Sequence, residues 1–282
     1  MSTIYNYYPN YRQKTGFFAS LVGMIKNIIK SKELILVLFK RDFLNTYRKS
    51  FLGVIWVLIG PVVGIVSWVF MNSTGILKPG DVGIPYEAYV LFSSSIWGLF
   101  MSFYTSAAGT LGSGTEFIMQ VKYPHEALLF KQTLLSFVNF LISFVLTLGV
   151  LILFGVKLSP LIILFPIIVL PLFFFGAAIG LVISVISVVA PDLSNIFNIA
   201  LGFVFYITPI IYSANDRDTG LQKIIALNPL TYIVGGARDL ILYGHTERLD
   251  IFIIMAFVSF ILFLFSWRLF YLSEERVVEK MI

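Results

Sequence analysis

The chain contains no cysteine, which excludes disulfides, thiolate metal sites and cysteine nucleophiles. It has only two histidines, His125 and His245, too few to suggest a histidine-built metal centre, and no metal is expected. Charge is also scarce, at 12% of residues against about 25% in an ordinary soluble domain. So few charges cannot cover a globule of 282 residues with solvated side chains, which excludes a soluble enzyme. Disorder is excluded too, because it needs low hydrophobicity and high net charge. No glycine is followed by lysine, so the phosphate-cradling G-x-x-x-x-G-K-[ST] loop cannot be built. The long apolar stretches carry no ionisable residue that would mark a proton or ion relay.

What the sequence does contain is long runs free of Asp, Glu, Lys and Arg. They are Phe51 to Leu77, Ala88 to Thr115, Gln132 to Val156, Leu158 to Pro191, Leu193 to Asn215 and Ile251 to Trp267. About 20 apolar helical residues cross a bilayer. Backbone amides in hydrocarbon must be satisfied within the segment, and no run alternates like a barrel strand, so each reads as a helix. The fourth run reads as one tilted or kinked helix, with Ser159-Pro160 as N-cap and first turn and Pro166 and Pro171 as kinks. Asp192 and Ser194 offer cap chemistry after Pro191, where the chain turns into the fifth run. The predicted fold is an all-α integral membrane protein of six transmembrane helices.

Lysine and arginine set the orientation. About fourteen basic residues lie in the first fifty residues, beside the second-to-third connection and after the last span, against about six in the other connections. The positive-inside bias puts both termini in the cytoplasm, and the net charge of +5 is a topology signal rather than a nucleic-acid footprint. The N-terminus is polar and tyrosine-rich, without the pattern of a cleavable signal peptide. Phe17, Phe18, Leu21, Val22, Ile25, Ile28 and Ile29 predict an amphipathic helix in the headgroup region, with Lys26 and Lys30 interspersed. A second such helix spans Ser31 to Arg48, apolar at Leu34, Ile35, Leu38 and Phe39 and polar at Lys40, Arg41 and Asp42. The expected organisation is a cytoplasmic N-terminal segment over 1–50, a six-span domain over 51–272 and a cytoplasmic tail over 273–282.

Two connections stand out. The cytoplasmic stretch from about Leu111 to Glu126 mixes apolar and charged residues and suits a short helix along the membrane. It reads either as a plain surface helix or as a docking element for a cytoplasmic partner, and His125, after Pro124, reads as a solvated loop histidine. Between spans five and six, Leu221, Ile224, Ile225 and Leu227 have helical spacing. Asn228-Pro229 ends that helix, and Leu230 to Tyr243 forms a second, interrupted at Gly235-Gly236 and carrying Arg238-Asp239. Neither can cross a bilayer, so they form a re-entrant lid or an external cap. Aromatics reach 16% of the chain, most of them suited to lipid contact or interface belts. Trp56, Trp68, Trp97, Tyr104, Phe205 and Tyr206 are candidates for walling a conduit, where sugar rings can stack on aromatic faces. Gly60 and Gly64, like Gly176 and Gly180, have the spacing of close helix contacts.

Lys40-Arg41-Asp42, Tyr47-Arg48, Ser50-Phe51-Leu52-Gly53, Trp56 and Pro61 resemble the start of the membrane subunit of ABC-2 type exporters. The likeness continues through Lys122-Tyr123-Pro124, Pro209-Ile210-Ile211-Tyr212, Asn228-Pro229-Leu230 and Gly236-Ala237-Arg238-Asp239-Leu240. It is strongest to the subfamily that exports polysaccharides such as O-antigen, capsule or teichoic acid. The resemblance implies a homodimer of six-span subunits paired with two ATP-binding subunits, which hold the ATP and Mg; no cofactor is expected in this chain. It implies an interface helix bearing Arg41, Asp42, Tyr47 and Arg48. It also implies an ATPase-coupling segment at about 115–126 with Glu116, Lys122, Tyr123, Pro124, His125 and Glu126. The external helices at about 219–244, with Asn228, Pro229, Arg238 and Asp239, would gate a pore lined by aromatics. Two departures are visible: Pro191-Asp192 stands where relatives often have Arg-Asp, and Tyr206 where many have tryptophan.

The expected function is therefore the permease half of an ABC exporter for a lipid-linked cell-envelope glycan in the cytoplasmic membrane, without an ATPase site of its own. An ABC-2 exporter of a drug or small lipid-like molecule is the alternative within the class, disfavoured by the short external loops. A membrane-embedded glycosyl-lipid enzyme would need clustered carboxylates or histidines at a membrane face. Glu116, His125, Glu126 and Asp192 are its only cytoplasmic candidates. A passive channel is the third reading.

Overall fold

The computed structural model describes residues 12, 15–48, 55–77, 79–111, 124–213 and 219–281. The described residues are helical and contain no strand. Two N-terminal helices, α1 (Phe17–Lys30) and α2 (Lys32–Arg48), meet at Ser31. Then come α3 (Ile55–Ser73), α4 (Tyr86–Ala108) and α5 (His125–Leu153). A 3-10 turn (Pro160–Leu164), one turn of helix α6 (Phe165–Ile168) and α7 (Leu170–Val189) follow. The chain ends in α8 (Pro191–Ile207), α9 (Thr219–Leu227), α10 (Pro229–Leu242) and α11 (Leu249–Met281).

Helices thus occur at all six predicted positions. Among the described residues, three of them are long and apolar enough to cross a membrane: His125–Leu153, Pro160–Val189 and Leu249–Ser273. The fourth run is more broken than the single kinked helix expected. The Ser159 hydroxyl caps the first turn by accepting from the Leu161 amide at 3.2 Å. Each proline then removes an amide donor, and the chain makes two short pieces, Pro160–Leu164 and Phe165–Ile168, before α7 runs straight. At the next junction Pro191 occupies the first turn of α8, and no side chain caps it, so Asp192 contributes only a first-turn charge and Ser194 lies within the helix. Gly235 and Gly236 do not interrupt α10, which runs unbroken to Leu242. The reason for Gly236 is packing: a Cβ there would lie 2.5 Å from the Phe252 ring of α11. No helix end falls at 272, since α11 continues to Met281.

The core forms where α4 is held between α5 and α7, and α7 in turn packs along α11. Glycine sets the α4–α7 separation. A Cβ on Gly176 would stand 3.0 Å from the Phe100 carbonyl oxygen. One on Gly180 would press into the Tyr104 carbonyl, 2.6 Å from Ala107 Cβ and 2.9 Å from the Ala108 amide. The Gly176 and Gly180 pair therefore acts as the spacing suggested, whereas Gly64 faces open space.

Contacts sort into two ends. At one end Arg268 on α11 donates to Ser20 Oγ at 2.9 Å, Lys131 on α5 pairs with Asp42 at 2.7 Å, and the Leu111 amide donates to Ser184 Oγ at 3.3 Å. At the other, Phe252 meets Gly236, the Ser159 amide donates to the Ile241 carbonyl at 3.0 Å, and Tyr86 reaches the Ile211 carbonyl at 3.0 Å. The N-terminal helices therefore gather at the opposite end from α9 and α10.

Candidate functional site

Four of the six aromatic candidates converge. Trp68 of α3 stacks on Phe205 of α8 at 6.1 Å and meets Tyr206 edge-on at 6.5 Å. Trp97 of α4 approaches Phe205 at 5.6 Å, and Phe205 and Tyr206 lie at right angles 5.3 Å apart. These are the separations and tilts at which rings attract one another beyond simple burial. Residues 68, 97, 205 and 206, scattered over 139 positions, thus form one wall. Its depth varies: Trp97 is buried, while Tyr206 is 59% exposed on the outer face of α8 beside Phe203. Tyr104 is buried as well and ties α4 to α8 by donating to Asn198 Oδ1 at 3.0 Å. Trp56 lies in the first turn of α3, and its side chain is outside the described residues.

Next to this wall, α8 stops at Ile207 and the chain unwinds through Thr208-Pro209-Ile210-Ile211-Tyr212, much of it buried. An irregular buried backbone must find partners for its carbonyls. Here side chains supply them. Tyr89 donates to the Pro209 carbonyl at 3.3 Å and to that of Tyr212 at 3.1 Å, and Tyr86 takes Ile211. Arg238 of α10 reaches the same Pro209 oxygen at 2.7 Å, donates to the Tyr89 hydroxyl, and lies 4.7 Å above the Tyr89 ring. Its Nε meets Asp239 Oδ1 at 2.7 Å. Burial disfavours the charged guanidinium, but Asp239 outweighs that effect and raises its pKa, so Arg238 stays a cation. Asn228 caps α10 by accepting from the Leu230 amide at 3.0 Å, with Pro229 in the first turn. Its amide nitrogen also donates to Thr208 Oγ1 at 2.8 Å. The predicted gate residues thus hold α10 against the unwound end of α8.

Tyr86, Tyr89 and Thr208 were not singled out by the sequence, and Tyr212 entered only as the end of the motif Pro209-Ile210-Ile211-Tyr212. Tyrosines near span ends read as interface belts, and the i, i+3 spacing of Tyr86 and Tyr89 was the one available signal that they share a face.

At the other end, Glu116, Lys122 and Tyr123 lie outside the described residues. Pro124 precedes α5, and His125 and Glu126 form its first turn, both buried. The solvated loop histidine expected at 125 is therefore corrected. The helix begins there and is clamped by the N-terminal helices: Asn27 of α1 donates to Glu126 Oε1 at 2.6 Å, and Ile35 and Leu38 of α2 cluster with Ala127 and Leu128. Asp42 accepts from Lys131, and Arg41 lies 2.8 Å from the same carboxylate. Burial works against the ionised Asp42, but the two cations outweigh it and hold its carboxyl below the usual 3.8. Tyr47 and Arg48 fall in the last turn of α2, with side chains outside the described residues. Among the described residues, no three histidine or carboxylate side chains group as a metal site.

The chain is 22% identical over 262 residues to the O-antigen export system permease protein RfbA of Myxococcus xanthus, covering 92% of this chain and 100% of that protein. A protein of the same name from Klebsiella pneumoniae is 22% identical over 249 residues, 88% of this chain and 94% of the relative. The pattern of the ABC-2 type transporter family matches residues 33–242, so the chain belongs to the ABC-2 type transporter family.

Proposed function

We propose that this chain is the permease subunit of an ABC exporter that moves a lipid-linked, O-antigen-like cell-envelope polysaccharide across the cytoplasmic membrane. The observation that carries the reading is the wall of Trp68, Trp97, Phe205 and Tyr206 on the charge-free stretches of α3, α4 and α8. Aromatic faces hold pyranose rings through their C–H faces yet offer no fixed charge to trap them. A polymer can therefore slide. The export function named for the relatives supports the same substrate class.

The chain crosses six times with both termini in the cytoplasm. Its α1 and α2 lie in the headgroup region, and α9 and α10 form the gate at the outer end. Two copies and two ATP-binding subunits make the working unit. The open faces of α3 (Val62, Val63, Val66, Phe70) and α8 (Ile196, Ile199, Phe203) are where the second copy packs and the path lies. ATP and Mg stay on the partner subunits, which supply the energy. The partner docks at about 115–126. Because α5 begins at His125 and is clamped to α1 and α2 through Glu126 and Lys131, a push there moves α5 and both interface helices together.

The test is export itself. Deleting the gene makes lipid-linked glycan accumulate inside, and Tyr206→Ala in place of the natural copy slows surface display several-fold without lowering partner ATPase activity. Unchanged surface polysaccharide after deletion refutes the proposal.

A further inference from the structure

At the gate end, a cavity of about 670 Å³ opens between the 79–84 loop, α9, α10 and the 243–248 loop. Its size is in the range of small-ligand sites, about 300–1,000 Å³. Pro209 and Ser213 form part of its wall, so it adjoins the unwound segment three residues beyond Tyr206. The lining sets polar groups among apolar surface. Asp81, Asp239 and Glu247 contribute carboxylates, Gln222 an amide, and Arg248 a guanidinium. Planar groups of this kind pair with the vicinal hydroxyls of sugars, which both donate and accept.

Two ring faces are fixed beside them. The Tyr243 hydroxyl donates to the Val82 carbonyl at 2.7 Å and the Tyr232 hydroxyl to the Ala226 carbonyl at 3.0 Å, so both rings are set before anything binds. Burial pushes the Tyr243 phenol up to about 12, and it remains a donor at any physiological pH. The charges also discriminate. Arg238 is engaged by Asp239, and Arg248 lies 3.5 Å from Asp250, outside the lining. As formal charges the lining holds three carboxylates, Asp81, Asp239 and Glu247, against two guanidiniums, Arg238 and Arg248, a net negative balance that disfavours a polyphosphate chain.

We infer that this cavity is an exit subsite that grips a short run of uncharged sugar residues as the polymer leaves the aromatic path. The inference rests on the polysaccharide reading above and adds the site and the polymer's charge class.

The full exporter, expressed in its own cells, tests this with a photo-crosslinking side chain at one position at a time. Asp81→p-benzoylphenylalanine and Glu247→p-benzoylphenylalanine sit on exposed loops that tolerate the substitution. Tyr206→p-benzoylphenylalanine probes the path, and Phe257→p-benzoylphenylalanine, on an exposed face of α11, is the control. After illumination, the 81 and 247 variants yield permease bands shifted upward and staining for carbohydrate, with little phosphate released on hydrolysis; the 257 variant yields none. Adducts at 206 but none at 81 or 247 overturn the subsite and leave the exporter reading intact. Adducts as strong at 257 as at 247 also overturn it. Adducts rich in phosphate overturn the uncharged-glycan assignment. No carbohydrate adduct at any position, together with normal surface glycan after gene deletion, removes the exporter reading and the subsite with it.

Discussion

Arg238→Met puts the anchoring of the unwound segment to a quantitative test. Methionine fills similar space but removes the cation that holds Pro209 and Tyr89 in place. Hydrogen bonds to charged groups are worth roughly 1.5–3 kcal/mol each, and deleting one partner of a buried ion pair costs about 3–5 kcal/mol. The Pro209 oxygen keeps a weak bond from Tyr89 at 3.3 Å, so the lower half applies, about 3–4 kcal/mol. At about 2–4 °C per kcal/mol for a chain of this size, the melting midpoint of the permease in nanodiscs falls by on the order of 10 °C. Arg238→Lys keeps the charge but not the fork that reaches two acceptors at once, and it falls between the two. Arg248→Met is the comparison: its pair with Asp250 is open to solvent and contributes next to nothing. Equal midpoints for the Arg238 and Arg248 variants would refute the reasoning that Arg238 anchors the unwound segment.

Other positions give further tests. Gly180→Leu drives a side chain into the α4 backbone at Tyr104 and Ala108, an overpacking beyond the usual ~1–3 kcal/mol. It abolishes recovery of folded protein from detergent, whereas Gly64→Leu, facing open space, does not. Asp42 has a folded pKa below 3.8, so it stabilises the α2–α5 contact above its unfolded value, and that contribution is lost as pH falls through the folded one. The protection of α2 amides, taken relative to the intrinsic exchange rate at each pH, therefore falls on acidification below the unfolded value of 3.8. In Asp42→Asn that protection is already low at pH 7 and hardly changes on acidification.

The helices were legible in the sequence because the rule behind them is local. A charge-free run must satisfy its own amides, and each such run became a helix. Of the aromatic candidates, Trp68, Trp97, Phe205 and Tyr206 were legible as residue types, because few aromatic side chains had no simpler role. Their meeting was not, since ring contacts between positions 68 and 205 depend on how α3 and α8 cross. The anchoring of Pro209 was hidden for the same reason: Tyr89 and Arg238 lie 149 residues apart. At His125 the sequence misled, because Pro124 suggests a loop. Whether the next residue is solvated depends on α1 and α2 folding back over it.

The central claim is that this polypeptide conducts but does not supply energy. Reconstituted in vesicles with its ATPase, the complex should carry lipid-linked glycan to the far side only while ATP is hydrolysed, stopping when the partner's ATPase is inactivated. Glycan crossing at the same rate with an inactive partner, or nucleotide turnover by the purified permease alone, would contradict it.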